Sequence, residues 1–305
     1  MPIFAANLFA VNTANHSYLF NHSEFKSEFK SNQSLILPFA HDSEWNNSAM
    51  DNYLSNNTIP NRLHLSTQVK HIFEKPFCFF TNDAIELTGN SDLLPMQSDN
   101  IISDYLKQFG IDSYMKIDES NEKIPYLDLY LYSFFGIVDI PLLAKPDSIF
   151  SELIKTALSN KAITHDKRLN TSWNNPVSCP ITFNIRDING IYHSYRLRML
   201  FVDIGAIHGN ASYKKVCQNV GLDTSKKSLM DNYKSDMLTG LKLHPDDFIE
   251  YANNDLNVYD ALVAYADMLK NVYNELGLID YYVFPKLTIG ATVADIVAAA
   301  IFKWQ

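Results

Sequence analysis

One nearly uninterrupted apolar run, residues 127–137, limits the folds open to this chain more than any other segment. Its aliphatic and aromatic side chains are typical of a central strand that is covered on both faces. The longer apolar stretch of residues 129–143 contains Asp139 and falls short of the roughly 20 residues that a membrane-spanning helix needs. We therefore expect a buried sheet with layers packed on both sides, and no membrane partner.

Other segments add strands to this prediction. Residues 34–41, 62–69 and 76–81 are short apolar or alternating runs of the kind that form strands. Asn189 and Gly190 separate two alternating β-branched and aromatic runs. Because both central positions of a type I′ turn need positive φ, this pair predicts a long β-hairpin at about residues 176–204.

The sequence becomes helical after the hairpin. Helices are predicted at residues 211–220, 226–233, 245–276 and 293–302, and apolar residues recur with a 3.6-residue period in the third of these. Residues 1–34 are rich in Asn, Ser, Phe and His without a sustained period, which indicates an N-terminal arm or an added hairpin. The expected organisation is an α/β domain over residues 35–305, with an inserted hairpin and an arm in front.

Composition and charge exclude several classes of protein. The 305 residues are 47% hydrophobic and 13% aromatic, which excludes wholesale disorder and fibrous repeats. With 34 Asp and Glu against 25 Lys and Arg, the chain lacks the cations that coating nucleic acid requires, although an enzyme with acidic metal ligands stays open. Three widely spaced cysteines and the lack of an evident targeting signal favour a reducing, cytoplasmic location.

Two acidic residues follow the first predicted strand. Asp42 and Glu44 are two positions apart, so in an extended strand their carboxylates point to one side. Oxygen-rich arrangements of this kind suit hard divalent cations such as Mg²⁺ and Mn²⁺. A pair of this kind also arises by chance, and a solvated strand end is the alternative interpretation.

A single charge, Asp139, interrupts the otherwise apolar or small-residue run of residues 131–143. An unpaired carboxylate is costly to bury, so we expect a cation or strong hydrogen-bond donors near it. Because Ile140 and Pro141 follow, a helix N-cap is the alternative role, and the two roles are compatible.

Tyr251 and Asp255 are four residues apart on the predicted helix that follows Pro245. This spacing puts the phenol and the carboxylate on one helix face, one turn apart. A tyrosine packed on the core beside a solvated aspartate is the alternative.

Taken together and in this order, the three elements resemble the motifs of the DEDD superfamily of 3′–5′ exonucleases, in the subclass marked by tyrosine. The chain looks like the proofreading-type exonuclease domain of family B-like DNA polymerases of plasmids and viruses. The resemblance extends from about residue 34 to 305. It includes the segments 65–68, 134–139, 203–206, 220–222, 227–229 and 284–289.

The resemblance implies an RNase H-like fold, in which a mixed sheet is flanked by helices and four carboxylates converge at one edge. Asp42, Glu44, Asp139 and Asp255 would bind two Mg²⁺ or Mn²⁺ ions, with Asp42 bridging both, and Tyr251 would orient the attacking water. The implied activity is two-metal hydrolysis of DNA from a single-stranded 3′ end, with RNA left open. The chain would be part of a larger polymerase or a free-standing exonuclease, so its partner would be a polymerase region of the same or another chain.

The resemblance has a departure at the second motif. The family usually carries Asn or His four or five residues before the aspartate, where this chain has Phe135 and Phe134. A catalytically degenerate module that binds nucleic acid or protein is therefore the alternative function, and an unrelated α/β protein with coincidental acids is a third.

Substrate contacts are suggested by aromatic and basic residues. Bases could stack on Trp45 and Phe134, and the phosphates could meet Arg186, Arg196 and Arg198 along the hairpin. For the arginines, an ordinary solvated strand face is the alternative.

Overall fold

A computed structural model describes most of the domain. The described residues are 16–18, 34–46, 63–71, 75–98, 100–139, 163–165, 168–170, 176–187, 189–209, 211–278, 286 and 289–303. Nearly all of the predicted arm lies outside them, and so do residues 284, 285, 287 and 288 of the resemblance.

One mixed β-sheet organises the described part of the chain. Seven strands lie in the order β4-β3-β2-β6-β10-β9-β5, the short β1 pairs with β2, and β7 and β8 pair separately. The strands are β1 (His16–Tyr18), β2 (Ser34–Trp45), β3 (His64–His71), β4 (Phe77–Phe80), β5 (Ser113–Ile117), β6 (Tyr126–Ser133), β7 (Ile163–His165), β8 (Arg168–Asn170), β9 (Val177–Arg186) and β10 (Tyr192–Asp203).

Strand directions bring three strand ends to one edge of the sheet. β2, β3 and β4 form an antiparallel meander, while β6 is parallel to β2 and β10 is parallel to β6. The carboxyl ends of β2, β6 and β10 therefore meet, and this edge positions the candidate site.

Helices cover both faces of the sheet. They are α1 (Asn82–Thr88), α2 (Ile101–Lys107), α3 (Gly136–Asp139), α4 (Ile204–Ile207), α5 (Tyr213–Asn219), α6 (Met237–Leu243), α7 (Pro245–Asn254), α8 (Val258–Glu275) and α9 (Ile289–Lys303). Shorter 3₁₀ turns occupy Ser225–Ser228, Asp231–Tyr233 and Asp255–Asn257. None of the helices in the described ranges is both long and apolar enough to pass through a membrane.

Alternating residues of the central strands build two cores. On β2, Leu37 and Phe39 pack toward α2, whereas Ile36 and Ala40 pack toward α8. A third cluster lies between the meander and helices α6 and α7, where Phe248 packs against Phe80. The structure thus shows an α/β fold with a mixed sheet and helices, and the apolar run that predicted a central strand forms β6.

The predicted hairpin exists, but two of its expected features are wrong. Its connection has five residues instead of two, because the Asp187 carboxylate accepts hydrogen bonds from the backbone N–H groups of Asn189 and Ile191. Gly190 has the predicted positive φ, +83°. The hairpin is also an integral part of the main sheet and not an insertion. The whole of β6 pairs with β10, and the apolar end of β10 is buried.

The predicted helix over residues 245–276 is interrupted at Asp255. α7 ends at Asn254, a 3₁₀ turn begins at Asp255, and α8 begins at Val258. Residues 226–233, predicted as a helix, form two 3₁₀ turns with a break between them.

Candidate metal centre

The end of β2 supplies the first two acids. Asp42 lies opposite Gln68 and Glu44 opposite Ser66 in the antiparallel pair with β3. Regular alternation puts both carboxylates on the same side. The register shifts directly after Glu44, and a β-bulge of this kind re-aims the next side chain, so Trp45 also lines the cavity described below.

Asp139 approaches the same edge from the neighbouring strand. It is the last residue of α3, which begins two residues after β6 ends, and β6 runs parallel to β2. Asp139 is 3% exposed, and its backbone N–H donates to the carbonyl of Phe135 at 3.3 Å. The helix that the N-cap alternative requires would begin after Asp139, at residues that lie outside the described ranges.

The late helix supplies the remaining two predicted residues. α7 begins at Pro245 with acidic residues in its first turn, as the N-terminal end of a helix dipole favours. Phe248 and Ala252 bury one face of α7 in the third core. Tyr251 and Asp255 therefore lie on the helix face that turns toward the sheet edge.

All five predicted residues line one cavity of about 260 Å³. The remaining lining residues are Ser43, Trp45, Phe134, Phe135, Tyr213 and Lys227. One ligand atom from each of Asp42, Glu44 and Asp255 lies within 4.8 Å of the other two. Residues more than 200 positions apart in sequence thus share a space small enough for one cation.

Burial and mutual repulsion dominate the electrostatics of the acids. Burial raises the pKa of Asp42 well above its usual range, and the charges of Asp139, Asp255 and Glu44 add to the effect. Burial, followed by the charge of Asp255, raises the pKa of Glu44 to about 8. Burial also raises the pKa of Asp255. Glu44 therefore keeps its proton at neutral pH unless positive charge is brought to the cluster.

Lys227 is the cation that partly balances the cluster. It lies on the 3₁₀ turn Ser225–Ser228, forms an ion pair with Asp255, and has Nζ 4.1 Å from the centre of the Tyr251 ring. Burial lowers the pKa of Lys227, but the charges of Asp255 and Glu44 act in the opposite direction and leave it raised. Lys227 therefore stays positively charged.

Lys227 and Tyr213 line this cavity but were not assigned to the site from the sequence. Lys227 belongs to a segment of the resemblance, but it is 28 positions from Asp255 and no periodicity links the two. Tyr213 lies on α5 and carries no sequence signal at all. Both enter the site because helices fold over the sheet edge, which neither spacing nor composition indicates.

The arginines of the hairpin are engaged elsewhere. Arg196 pairs with Asp118 at 2.5 Å, and Arg198 pairs with Asp128 at 2.5 Å. Arg198 lies level with Asp128 on β6, five residues before the end of that strand at Ser133, or about 16 Å from the edge that carries the cavity. These two arginines therefore form partly buried ion pairs within the fold, which differs both from the predicted phosphate contacts and from an ordinary solvated strand face.

Asp203 is also structural. Its carboxylate accepts from the backbone N–H of Gly205 at 2.9 Å, which caps α4, and from that of Gly136 at 3.3 Å. It is not among the described residues that line the cavity.

The donor set fits Mg²⁺ or Mn²⁺. The carboxylates of Asp42, Glu44 and Asp255 are close enough to supply hard oxygen ligands to one ion, and Asp139 lines the same cavity. Neither histidine nor cysteine is among the described lining residues, so softer metals are not favoured. Comparison of the chain with protein-family models, with curated proteins and with solved structures found no match. A function can therefore be proposed only from the cavity and from the motifs that form it.

Proposed function

We propose that this chain is a metal-dependent 3′–5′ exonuclease of the DEDD type that hydrolyses DNA from a single-stranded 3′ end. One observation carries the proposal: Asp42, Glu44 and Asp255 bring ligand atoms within 4.8 Å of one another, in a cavity that also contains Asp139. Three acids that a single lysine balances only in part are costly to bury side by side, and a metal cation relieves that cost. An RNase H-like fold belongs to the proposal, supported by the mixed sheet with acids converging at one edge.

Asp42, Glu44, Asp139 and Asp255 would hold two Mg²⁺ or Mn²⁺ ions. When bound, such ions lower the pKa of a water molecule and stabilise charge in an in-line displacement at phosphorus. The negative charge of Glu44, followed by burial, raises the pKa of Tyr251, so its hydroxyl remains a hydrogen-bond donor. Tyr251 can therefore orient a water or a phosphate oxygen, but it does not act as a base.

The aromatic side chains around the acids suit an unpaired nucleotide. Trp45, Phe134 and Phe135 line the cavity and offer rings against which bases can stack. The two phenylalanines replace polar side chains that the resembled family usually carries, so substrate binding would depend more on stacking and less on hydrogen bonds. RNA remains a substrate to be tested beside DNA.

The cellular setting belongs to the same proposal. An exonuclease of this type would serve a DNA polymerase, as a part of the same chain or as a separate protein. The three cysteines, Cys78, Cys179 and Cys217, are buried free thiols, which supports a reducing, cytoplasmic location.

A binding module without catalysis is the second candidate, and Phe134 and Phe135 favour it because they remove polar groups from the cavity. Metal binding separates the two functions. A nuclease should gain thermal stability from Mn²⁺ by mass action, whereas a degenerate module should not.

The test uses 5′-labelled single-stranded DNA with Mn²⁺ or Mg²⁺, and a matched RNA. We expect stepwise shortening from the 3′ end, and a loss of at least about 100-fold in Asp42→Asn and in Asp255→Asn, since each removes a charged ligand. Asp267→Asn, on the exposed face of α8, is the matched control. Full activity in Asp42→Asn, or a wild-type protein that neither binds Mn²⁺ nor shortens either substrate, would contradict the proposal.

A further inference from the structure

Tyr213, the first residue of α5, lines the cavity and contacts three separate parts of the site. Its hydroxyl donates a hydrogen bond to the backbone carbonyl of Asn254. Its ring meets the ring of Phe134 edge-on, with centroids 5.2 Å apart. The Nζ atom of Lys227 lies 5.4 Å from the centre of the same ring.

The hydrogen bond to Asn254 acts where α7 ends. The last carbonyls of a helix lack partners within the helix, and here the chain passes into a 3₁₀ turn at Asp255. The Asn254 carbonyl belongs to the peptide group that leads into Asp255. Fixing that peptide plane restricts the backbone of Asp255 and so the direction of its carboxylate.

The ring of Tyr213 lies close to the ammonium group of Lys227. Lys227 lies between two tyrosine rings, Tyr251 at 4.1 Å and Tyr213 at 5.4 Å, while its ammonium pairs with Asp255. Aromatic faces attract ammonium groups, most strongly where water is excluded. The two rings therefore limit where the Lys227 side chain can go.

We propose that Tyr213 is a positioning residue, which presets Asp255 through Asn254 and holds Lys227 against the acids. Phe134 supports the ring from the β6 side, so that the strand edge, α5 and the end of α7 are fixed relative to one another. The inference rests on the proposed function, because presetting Asp255 matters for binding a metal ion.

The decisive comparison uses two tyrosine hydroxyls. Tyr213→Phe removes the hydroxyl, and with it the hydrogen bond to Asn254 and the contact with the Cys217 thiol, while keeping the ring. Tyr273→Phe is the matched control, since Tyr273 is a buried tyrosine of α8 outside the cavity, whose hydroxyl donates to Asp295 at 2.9 Å. Mn²⁺ affinity is measured by calorimetry, and unfolding is measured in EDTA.

We expect both variants to lose similar stability, but only Tyr213→Phe to bind Mn²⁺ about fivefold more weakly, which corresponds to one lost hydrogen bond. Unchanged Mn²⁺ affinity in Tyr213→Phe, together with a stability loss like that of the control, would show that Tyr213 only packs the fold.

A metal-free measurement separates this inference from the proposed function. Acetylation of Lys227 is followed by mass spectrometry in the wild type and in Tyr213→Leu, with the exposed Lys226 as internal reference. Several-fold faster labelling of Lys227 in the variant supports the positioning role, and unchanged labelling overturns it. A wild type that fails to bind Mn²⁺ would contradict the proposed function but leave this result decisive for Tyr213.

Discussion

Replacing Glu44 with glutamine would remove an ionisable group from the cavity while keeping the shape of the protonated side chain. Burial and the charge of Asp255 raise the pKa of Glu44 from its ordinary value of 4.5 to about 8, although Lys227 opposes the shift. Below pH 4.5 the carboxyl is protonated in both the folded and the unfolded protein. Between pH 4.5 and 8 only the unfolded chain releases the proton, so the free energy of unfolding falls as the pH rises.

The size of the effect follows from the shift. Each pH unit inside this window costs about 1.4 kcal/mol, and above the folded pKa the loss is complete. Ionisation of Glu44 therefore lowers the free energy of unfolding of the metal-free wild type by about 3 kcal/mol at pH 7 and by about 5 kcal/mol above pH 8. Glutamine does not ionise, so Glu44→Gln should be more stable than the wild type by these amounts.

Urea unfolding in EDTA, followed by circular dichroism at pH 5, 6, 7 and 8, measures the difference. We expect it to be below about 1 kcal/mol at pH 5 and to grow steadily toward pH 8. Glu250→Gln, at an exposed glutamate paired with Lys226, is the control and should show no such growth. A stability difference between Glu44→Gln and the wild type that stays constant with pH would refute the electrostatic reasoning.

Two further substitutions probe the charges. Lys227→Met leaves the acids without the Lys227 cation, so the free energy of unfolding of the metal-free protein should fall by about 3–5 kcal/mol at pH 8. Saturating Mn²⁺ should restore much of this stability. Equal unfolding midpoints for variant and wild type in EDTA would contradict this role. Arg198→Leu leaves Asp128, only 4% exposed, without its ion pair and should cost about 3 kcal/mol in urea unfolding. Nuclease activity at a temperature where Arg198→Leu stays folded should match the wild type, and a selective loss of activity would place Arg198 in substrate binding.

Much of the sheet could be predicted from local pattern. The apolar run that contains β6 predicted a strand with both faces buried, and the pair Asn189 and Gly190 predicted a reversal of the chain. The carboxylates of Asp42 and Glu44 were expected on one side because strand alternation is a local property of the backbone. Tyr251 and Asp255 followed from helical spacing in the same way.

The remaining features depend on contacts between distant segments. The pairing of β10 with β6 depends on which apolar faces become buried, and the sequence of either strand alone does not determine this. Asp187 lengthened the hairpin connection through side-chain hydrogen bonds that a search for turn residues does not weigh. Lys227 and Tyr213 entered the cavity through the packing of α5 and a 3₁₀ turn, so only the folded chain reveals them.

The division of the acids between β2 and the end of α7 has a consequence for folding order. Asp42 and Asp255 are separated by more than 200 residues, and closing so long a loop is an entropic cost that the chain meets only when its late helices dock. During synthesis the N-terminal strands emerge first, and at that stage β2 carries Asp42 and Glu44 without the partner that completes the cluster. A divalent ion could therefore not template the early steps of folding, and tight binding of the ion would mark the chains in which folding has been completed.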